Sequence, residues 1–360
     1  MEDIHIVVDS NLNIITNKIN IMKKLSILIT HFNESLPTIK RMLDSIAIQQ
    51  NVNWDDIEVL IGDDGGEYNY GEDPIMSSYP FNIDYYVFDK GGISASRNKL
   101  LKLAKGEFVE FCDGDDMFYG CTGIWFILRE IEKGDCDGIC NEFLCEIRRP
   151  DNGEIDYVPY AQTGWQFVHA KVFRRSLLID NDINFRQDAP VHEDNILFGL
   201  AKYYSNKIKF SPIPYYVWCH NDKSVSRKDK YYLQHTTKYL LMNQSWVIEK
   251  LYKKGMLQPI REHVYSIFCD MYYSLAGDQW LEDSTKEDRK ECEGMFKFFY
   301  NKYKKFADEL TAEQKKTIEL GQKQMHTMQG LSFEKYTWFQ WIEHIENEVE
   351  PIEFEIKNEN

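Results

Sequence analysis

Phe108-Val109-Glu110-Phe111-Cys112-Asp113-Gly114-Asp115-Asp116 is a mostly apolar run that ends in three carboxylates. Its first half has the near-continuous apolar content of a strand covered on both faces, as in a parallel sheet flanked by helices. Its second half crowds three negative charges into one loop. Such charges raise each other's pKa unless a cation sits among them. Hard oxygen donors at that spacing suit Mg²⁺ or Mn²⁺. Asp and Gly are also ordinary turn residues, and a solvated turn is the competing reading.

The same plan recurs toward the N-terminus. Residues 25–30, 57–62 and 85–88 read as buried strands. Residues 36–50 read as an amphipathic helix with Ile39, Met42, Leu43 and Ile46 on one face, and 94–104 as a helix with Leu100, Leu101 and Ala104 inward. Strands alternating with helices predict a mostly parallel sheet with right-handed crossovers. Three of these strands run into polar loops: Thr30-His31-Phe32-Asn33, Asp63-Asp64-Gly65-Gly66 and Asp113-Gly114-Asp115-Asp116. Open α/β sheets bind ligands beyond the carboxyl ends of their strands, so the three loops form one candidate ligand edge.

Three further motifs bear on chemistry. Lys90-Gly91-Gly92-Ile93-Ser94-Ala95-Ser96-Arg97-Asn98 predicts a helix start whose N–H groups, with Arg97, suit an anion or phosphate. It lacks the G-x-G-x-x-G spacing of a dinucleotide fold. Val191-His192-Glu193-Asp194 opens a helix with an acidic pair. That pair either caps the helix and complements its dipole or supplies a general base. The aromatic run Tyr215-Tyr216-Val217-Trp218 leads into His220, Ser224 and Arg227.

Downstream, 123–132, 167–178 and 195–204 read as helices, and 134–165 as irregular strands. Past about 227 only helical spacing remains, at 231–252, 259–275, 285–306, 312–327 and 333–348, with Thr311-x-x-Gln314 resembling a capping box. A small hairpin is expected from 4–8 and 12–16, and the acid-rich tail from 343 onward is expected to fray.

The 360 residues carry 42 basic and 58 acidic side chains, a net charge of −16, which argues against a general nucleic-acid binder. Eight cysteines include no C-x-x-C pair, so zinc is not expected, and they read as reduced small hydrophobes. No apolar run is long enough to span a bilayer, and the start reads as neither signal peptide nor anchor. The expected localisation is cytoplasmic and soluble, at most peripheral to a membrane.

In order and spacing these motifs resemble the family-2 glycosyltransferases with the GT-A fold. Thr30-His31-Phe32-Asn33 matches that family's Pro-Thr-Tyr-Asn-like loop, Asp63-Asp64-Gly65-Gly66 its Asp-Asp-Gly-Ser, and Gly92 to Asn98 its Gly-x-x-x-Ala-Arg-Asn. Asp113-Gly114-Asp115-Asp116 matches its Asp-Ser-Asp-Asp, the DxD motif, and Glu193-Asp194 its acidic pair. Thr30, Gly66 and Ser96 depart mildly from the pattern, and the likeness covers about 24–227.

The resemblance implies a Rossmann-like α/β GT-A domain over 24–227, a mixed and mostly parallel sheet flanked by helices. An N-terminal extension (1–23), an all-helical C-terminal domain (228–348) and an acidic tail (349–360) flank it. It implies an inverting, metal-dependent transfer of a sugar from a nucleotide sugar, a UDP-sugar by preference, to a hydroxyl of a glycan, polymer or other acceptor. Thr30, Phe32, Asn33, Asp64, Gly92, Arg97, Asp113, Gly114, Ser224 and Arg227 would bind the donor. Asp113, Asp115 and His220 would hold Mn²⁺ or Mg²⁺, Asp194 with Glu193 would supply the base, and Trp165 and Gln166 would meet the acceptor.

The helical region is expected to shape the acceptor side or to mediate self-association. A catalytically inactive sugar-binding module and a transferase acting on a modified nucleic-acid base remain open. A phosphohydrolase of the haloacid-dehalogenase type is disfavoured, because Met117 stands where that family has Thr or Val. A sugar nucleotidyltransferase is disfavoured too, because the first loop is not glycine-rich and basic.

Overall fold

A computed structural model describes residues 23–149, 151–160, 167–188, 191–222, 224, 232–276, 286–328 and 336–354. The expected N-terminal hairpin, Trp165, Gln166, Arg227 and the boundary near 228 lie outside the described residues.

Strands β1 (Leu25–His31), β2 (Ile57–Asp63), β3 (Ile83–Val87) and β4 (Phe108–Asp113) are all parallel. The large sheet has seven strands in the order β10-β6-β9-β4-β1-β2-β3, with β6 (Gly138–Asn141), β9 (Lys171–Arg174) and β10 (Ile208–Ser211). Only β9 runs antiparallel to its neighbours, so the sheet is mixed and mostly parallel. A second sheet, β5-β11-β7-β8, joins β5 (Met117–Phe118), β7 (Phe143–Arg148), β8 (Ile155–Tyr160) and β11 (Tyr216–Trp218).

Helices cover both faces of the large sheet. α1 (Leu36–Ala47) and α3 (Gly123–Glu132) bury Ile39, Met42, Leu43, Ile46, Ile124 and Ile127 against Ile27, Ile29, Val59 and Ile61. α2 (Ile93–Leu103), α4 (Arg175–Asp180) and α5 (Glu193–Tyr204) cover the other face, where Leu28, Leu60, Val109 and Phe111 point. Alternate residues of one strand thus serve opposite faces, as strand geometry requires.

The residues expected to extend a helix from 167 to 178 divide instead. Lys171–Arg174 form β9, and only Arg175–Asp180 are helical. Val172 and Phe173 are buried between β4 and β6, so pairing on both sides overrides a spacing that also suits a helix.

The C-terminal helices are α6 (Tyr232–Lys253), α7 (Leu257–Leu275), α8 (Lys286–Asp308), α9 (Ala312–Met328) and α10 (Trp338–Glu348). One apolar core runs from Leu28 and Phe111 through Ile196 and Leu197 of α5 into Leu241, Val247 and Leu251 of α6. The capping box at Thr311 forms, with Gln314 N–H donating to Thr311 Oγ1 and Thr311 N–H to Gln314 Oε1. Thr337 and Gln340 repeat it.

The tail does not fray where the sequence predicts. Residues 343–348 lie in α10, Ile352 N–H donates to Gly294 O at 2.9 Å, and Phe354 packs on Phe298. A Cβ at Gly294 would lie 2.6 Å from Ile352 Cγ1, so that glycine makes room for the tail.

α6 also grips the chain that leads into α5. Asn243, fully buried, donates through Nδ2 to Val191 O (3.2 Å) and His192 O (3.1 Å). His192 has a left-handed φ of 61° and bonds Thr236 Oγ1 at 3.0 Å. Arg186, 1% exposed, donates to Met242 O at 2.7 Å and pairs with Asp188. Asn243→Ala leaves two part-buried carbonyls without this donor and is expected to cost about 1–2 kcal/mol, read as a lower urea midpoint at unchanged slope. An unchanged midpoint would show that the clamp carries no stability.

Glu110 lies wholly buried within β4, accepts from Tyr215 Oη at 2.8 Å, and leaves Oε2 without a partner. Burial pushes its carboxyl up to about 8. A raised folded pKa gives stability that is full below the unfolded value of about 4.5 and is lost as pH rises toward 8. The loss is about 1.4 kcal/mol per pH unit in that window. Glu110→Gln is therefore expected to flatten the fall in unfolding free energy between pH 5.5 and 7.5. Equal slopes for variant and parent would refute it.

Candidate active site

Strand register sets the site. Thr30 stands beside Gly62 on one side and Asp113 on the other, and His31 beside Asp63. The three polar loops therefore leave the sheet at one edge. Gly114 fits because its N–H donates to Thr30 O at 2.8 Å, and a Cβ there would meet Ile39 Cδ1 at 2.8 Å and His31 Cβ at 2.9 Å. At Gly66 a Cβ would lie 2.8 Å from Asn33 Oδ1, which itself accepts from Glu67 N–H at 2.6 Å. That packing gives a local reason for glycine where the family has serine.

Arg97 is the hub. It is 2% exposed on α2, and its guanidinium binds Asp113 Oδ1 through Nη2 (2.7 Å) and both Glu193 Oε1 and Asp194 Oδ1 through Nη1 (2.8 Å each). Burial alone would lower its pKa, but the three carboxylates outweigh that and raise it. Arginine suits such a site because its planar fork stays charged and meets several oxygens at once.

The two acids that open α5 are not equivalent. Burial, then the Asp194 charge, pushes Glu193 up to about 8. Burial acts to raise Asp194 as well, but Arg97 outweighs it and holds that carboxyl below its ordinary value. Asp194 Oδ2 also accepts from Val168 N–H at 3.1 Å. At neutral pH the pair is thus one protonated and one ionised carboxyl.

The three acids of the 113–116 loop part company. Asp113 faces Arg97, Asp115 Oδ2 accepts from Asn221 Nδ2 at 2.7 Å, and Asp116 turns inward to Tyr216 Oη and Cys219 N–H, both at 2.8 Å. Burial raises Asp113 despite Arg97, with Asp115 adding, and burial raises Asp116 with Asp113 and Asp115 adding. Glu34, in the first loop, rises to about 7 through burial with Asp115 and Asp113 contributing.

His220 sits on the neighbouring segment but bonds Asp222 Oδ1 at 2.7 Å. His169, unremarked in the sequence, lies beside Asp113 and Asp116. Its Nε2 is buried without a partner, and burial pushes its pKa down to about 3. Only its place in an aromatic-rich stretch near Trp165 could have drawn attention to it.

Mutually repelling hard oxygens beside an orphaned buried imidazole nitrogen fit a divalent cation.

The glycine turn holds Asp64. Gly91 and Gly92 N–H donate to Asp64 Oδ1 (3.0 Å) and Oδ2 (2.9 Å), and Ser96 Oγ donates to Asp64 Oδ1 (2.8 Å). Asp64, 6% exposed, thus takes the N–H groups of the two glycines that precede α2. Gly92 adopts φ 84°, a conformation glycine accepts without strain. Phe32 remains 40% exposed, with the Lys90 ammonium 4.4 Å from its ring centre. Thr30 is buried, Asn33 exposed and Ser224 half-buried.

Comparison with known proteins places this geometry. The chain is 27% identical over 201 residues to a poly(ribitol-phosphate) beta-glucosyltransferase of Bacillus spizizenii, a match covering 52% of this chain and 31% of that protein's length. It is 24% identical over 283 residues to a cholesterol galactosyltransferase of Borreliella burgdorferi, covering 71% and 75%. The fold matches the crystal structure of residues 1–349 of S. aureus TarS in complex with UDP, with a TM-score of 0.55, 19% identity, and 84% and 92% of the two chains covered. Residues 26–148 match the family model for glycosyl transferase family 2, and the sheet order and this structural likeness give the chain a GT-A-like core.

Proposed function

We propose that this chain is an inverting glycosyltransferase that moves a sugar from a UDP-sugar to a hydroxyl of a polymer. One observation carries the reading: a single buried guanidinium holds Asp113 and the Glu193–Asp194 pair together, although 80 residues separate them in sequence. The loops that would bind donor and activate acceptor are thereby locked at one distance.

The reaction needs a leaving diphosphate and a deprotonated acceptor. A divalent cation, Mn²⁺ or Mg²⁺, held by the Asp113–Asp116 loop would neutralise charge on the leaving diphosphate as a Lewis acid. Asp194, ionised at neutral pH, takes the acceptor hydroxyl's proton, whereas Glu193 keeps its own proton and cannot. Phe32 offers an exposed ring for the nucleobase, and Thr30, Asn33, Gly92 and Ser224 line or flank the donor path. One in-line displacement inverts the anomeric centre without a covalent intermediate.

The relatives support the donor and acceptor classes. TarS was crystallised with UDP, and the Bacillus relative acts on a ribitol-phosphate polymer. Purified protein with a panel of UDP- and GDP-sugars and Mn²⁺ should release UDP, faster with a polyol-phosphate polymer than with a sterol. EDTA should remove that release and added Mn²⁺ restore it. Full turnover in EDTA would overturn metal dependence, and binding without turnover of any donor would favour a sugar-binding module.

A further inference from the structure

His169 occupies a box of rings just before β9. It is 3% exposed, stacked on Tyr216 (5.3 Å, 5°) and Phe167 (5.3 Å, 23°), and edge-on to Phe143 (4.4 Å). A phenyl ring would fill such a box without a polar atom. The imidazole instead buries Nε2 with no hydrogen-bond partner, a costly arrangement that calls for an unseen partner. One ring nitrogen, a carboxylate oxygen of Asp113 and one of Asp116 all lie within 4.8 Å of one another, and this is the only such Asp/Glu/His/Cys group among the described residues.

The surroundings hold these groups as a ligand set is held. Tyr216 Oη donates to Asp116 Oδ2 while its ring stacks on His169, so one tyrosine orients both. Cys219 N–H fixes the other Asp116 oxygen. Outer partners of this kind set the direction of metal ligands. His220 is turned toward Asp222 and stands outside the cluster.

We propose that Asp113, Asp116 and His169 form the divalent-cation site, with His169 as its nitrogen ligand, and that the site takes Mn²⁺ ahead of Mg²⁺. The proposal rests on the metal-dependent reading above and changes its ligands. Mg²⁺ demands near-ideal octahedral oxygen and retains its waters, whereas a transition ion accepts imidazole.

Pulsed EPR on the full chain loaded with Mn²⁺, with and without UDP, tests the ligand directly. Nitrogen-14 coupling to bound Mn²⁺ is expected in the parent and in His220→Gln. It should vanish in His169→Gln and in His169→Phe, the latter keeping the ring packing. Mn²⁺ affinity should fall at least about tenfold in both His169 variants, since even outer-partner losses reach that size. A roughly tenfold excess of Mg²⁺ should leave Mn²⁺ bound in the parent.

Coupling retained in the His169 variants and lost in His220→Gln would overturn the proposal, as would bound Mn²⁺ without nitrogen coupling in the parent. In both cases metal dependence stands. Displacement of Mn²⁺ by that Mg²⁺ excess would overturn the preference. Absence of bound Mn²⁺ in every arm would overturn the metal reading and this site with it.

Discussion

Asp194→Asn is expected to lower turnover by roughly 10²–10⁴-fold, the range a positioned general base supplies, while nucleotide binding changes little. The carboxamide keeps the size of the side chain, and its oxygen can still accept from Val168 N–H as Asp194 Oδ2 does. It cannot take a proton from an acceptor hydroxyl. Glu193 does not substitute, because it already carries a proton below about pH 8. The check is kcat with the best donor, beside UDP affinity by calorimetry. Normal kcat would remove Asp194 from the role of base. Lost activity together with lost UDP binding would assign it to the architecture of the donor site.

Arg97→Met has the largest expected effect on stability. Methionine approximates the arginine stem in length but leaves Asp113, Glu193 and Asp194 with no cation between them. Breaking a buried ion set by removing one partner costs about 3–5 kcal/mol, and these carboxylates are partly open to water, which favours the lower end. The loss should appear in urea unfolding and should shrink at low pH, where Asp113 and Asp194 are protonated as Glu193 already is. Arg97→Lys should recover only part of it, since an ammonium cannot reproduce the fork that meets three carboxylates. A variant within about 0.5 kcal/mol of the parent at pH 7 would show that the hub is not a structural element.

The two variants separate the roles that meet at one guanidinium. Asp194→Asn removes a proton acceptor from a standing site. Arg97→Met removes the tie between the sheet edge and α5, so its activity loss should follow its stability loss.

Much of the sheet and its ligand edge was legible because the signals are local. Leu25-Ser26-Ile27-Leu28-Ile29, Ile57-Glu58-Val59-Leu60-Ile61 and Phe108-Val109-Glu110-Phe111-Cys112 are nearly continuous apolar runs, which only strands covered on both faces require. The acids that follow them must leave the sheet at its carboxyl edge, whatever the tertiary detail. The five C-terminal helices were legible for a similar reason, since helical spacing repeats within each segment. β9 was not legible. Val172 and Phe173 satisfy helical and extended spacing equally, and their strand state comes from partners on β4 and β6, more than 30 residues away on the β6 side and more than 60 on the β4 side.

The residue types of the site belong to the sequence, and their partners belong to the fold. Sequence alone determined that Asp63-Asp64, Asp113 to Asp116 and Glu193-Asp194 would stand at element ends, because alternation and capping depend on neighbours a few residues away. Only the tertiary structure decided that Asp64 turns onto Gly91 and Gly92, that Asp116 turns inward to Tyr216, that Arg97 joins three carboxylates, and that His169 rather than His220 stands beside Asp113. The reason is electrostatic and steric together. A carboxylate near the protein interior takes whichever donor packing brings within about 3 Å, and that donor comes from a segment whose distance along the chain carries no information about its distance in space.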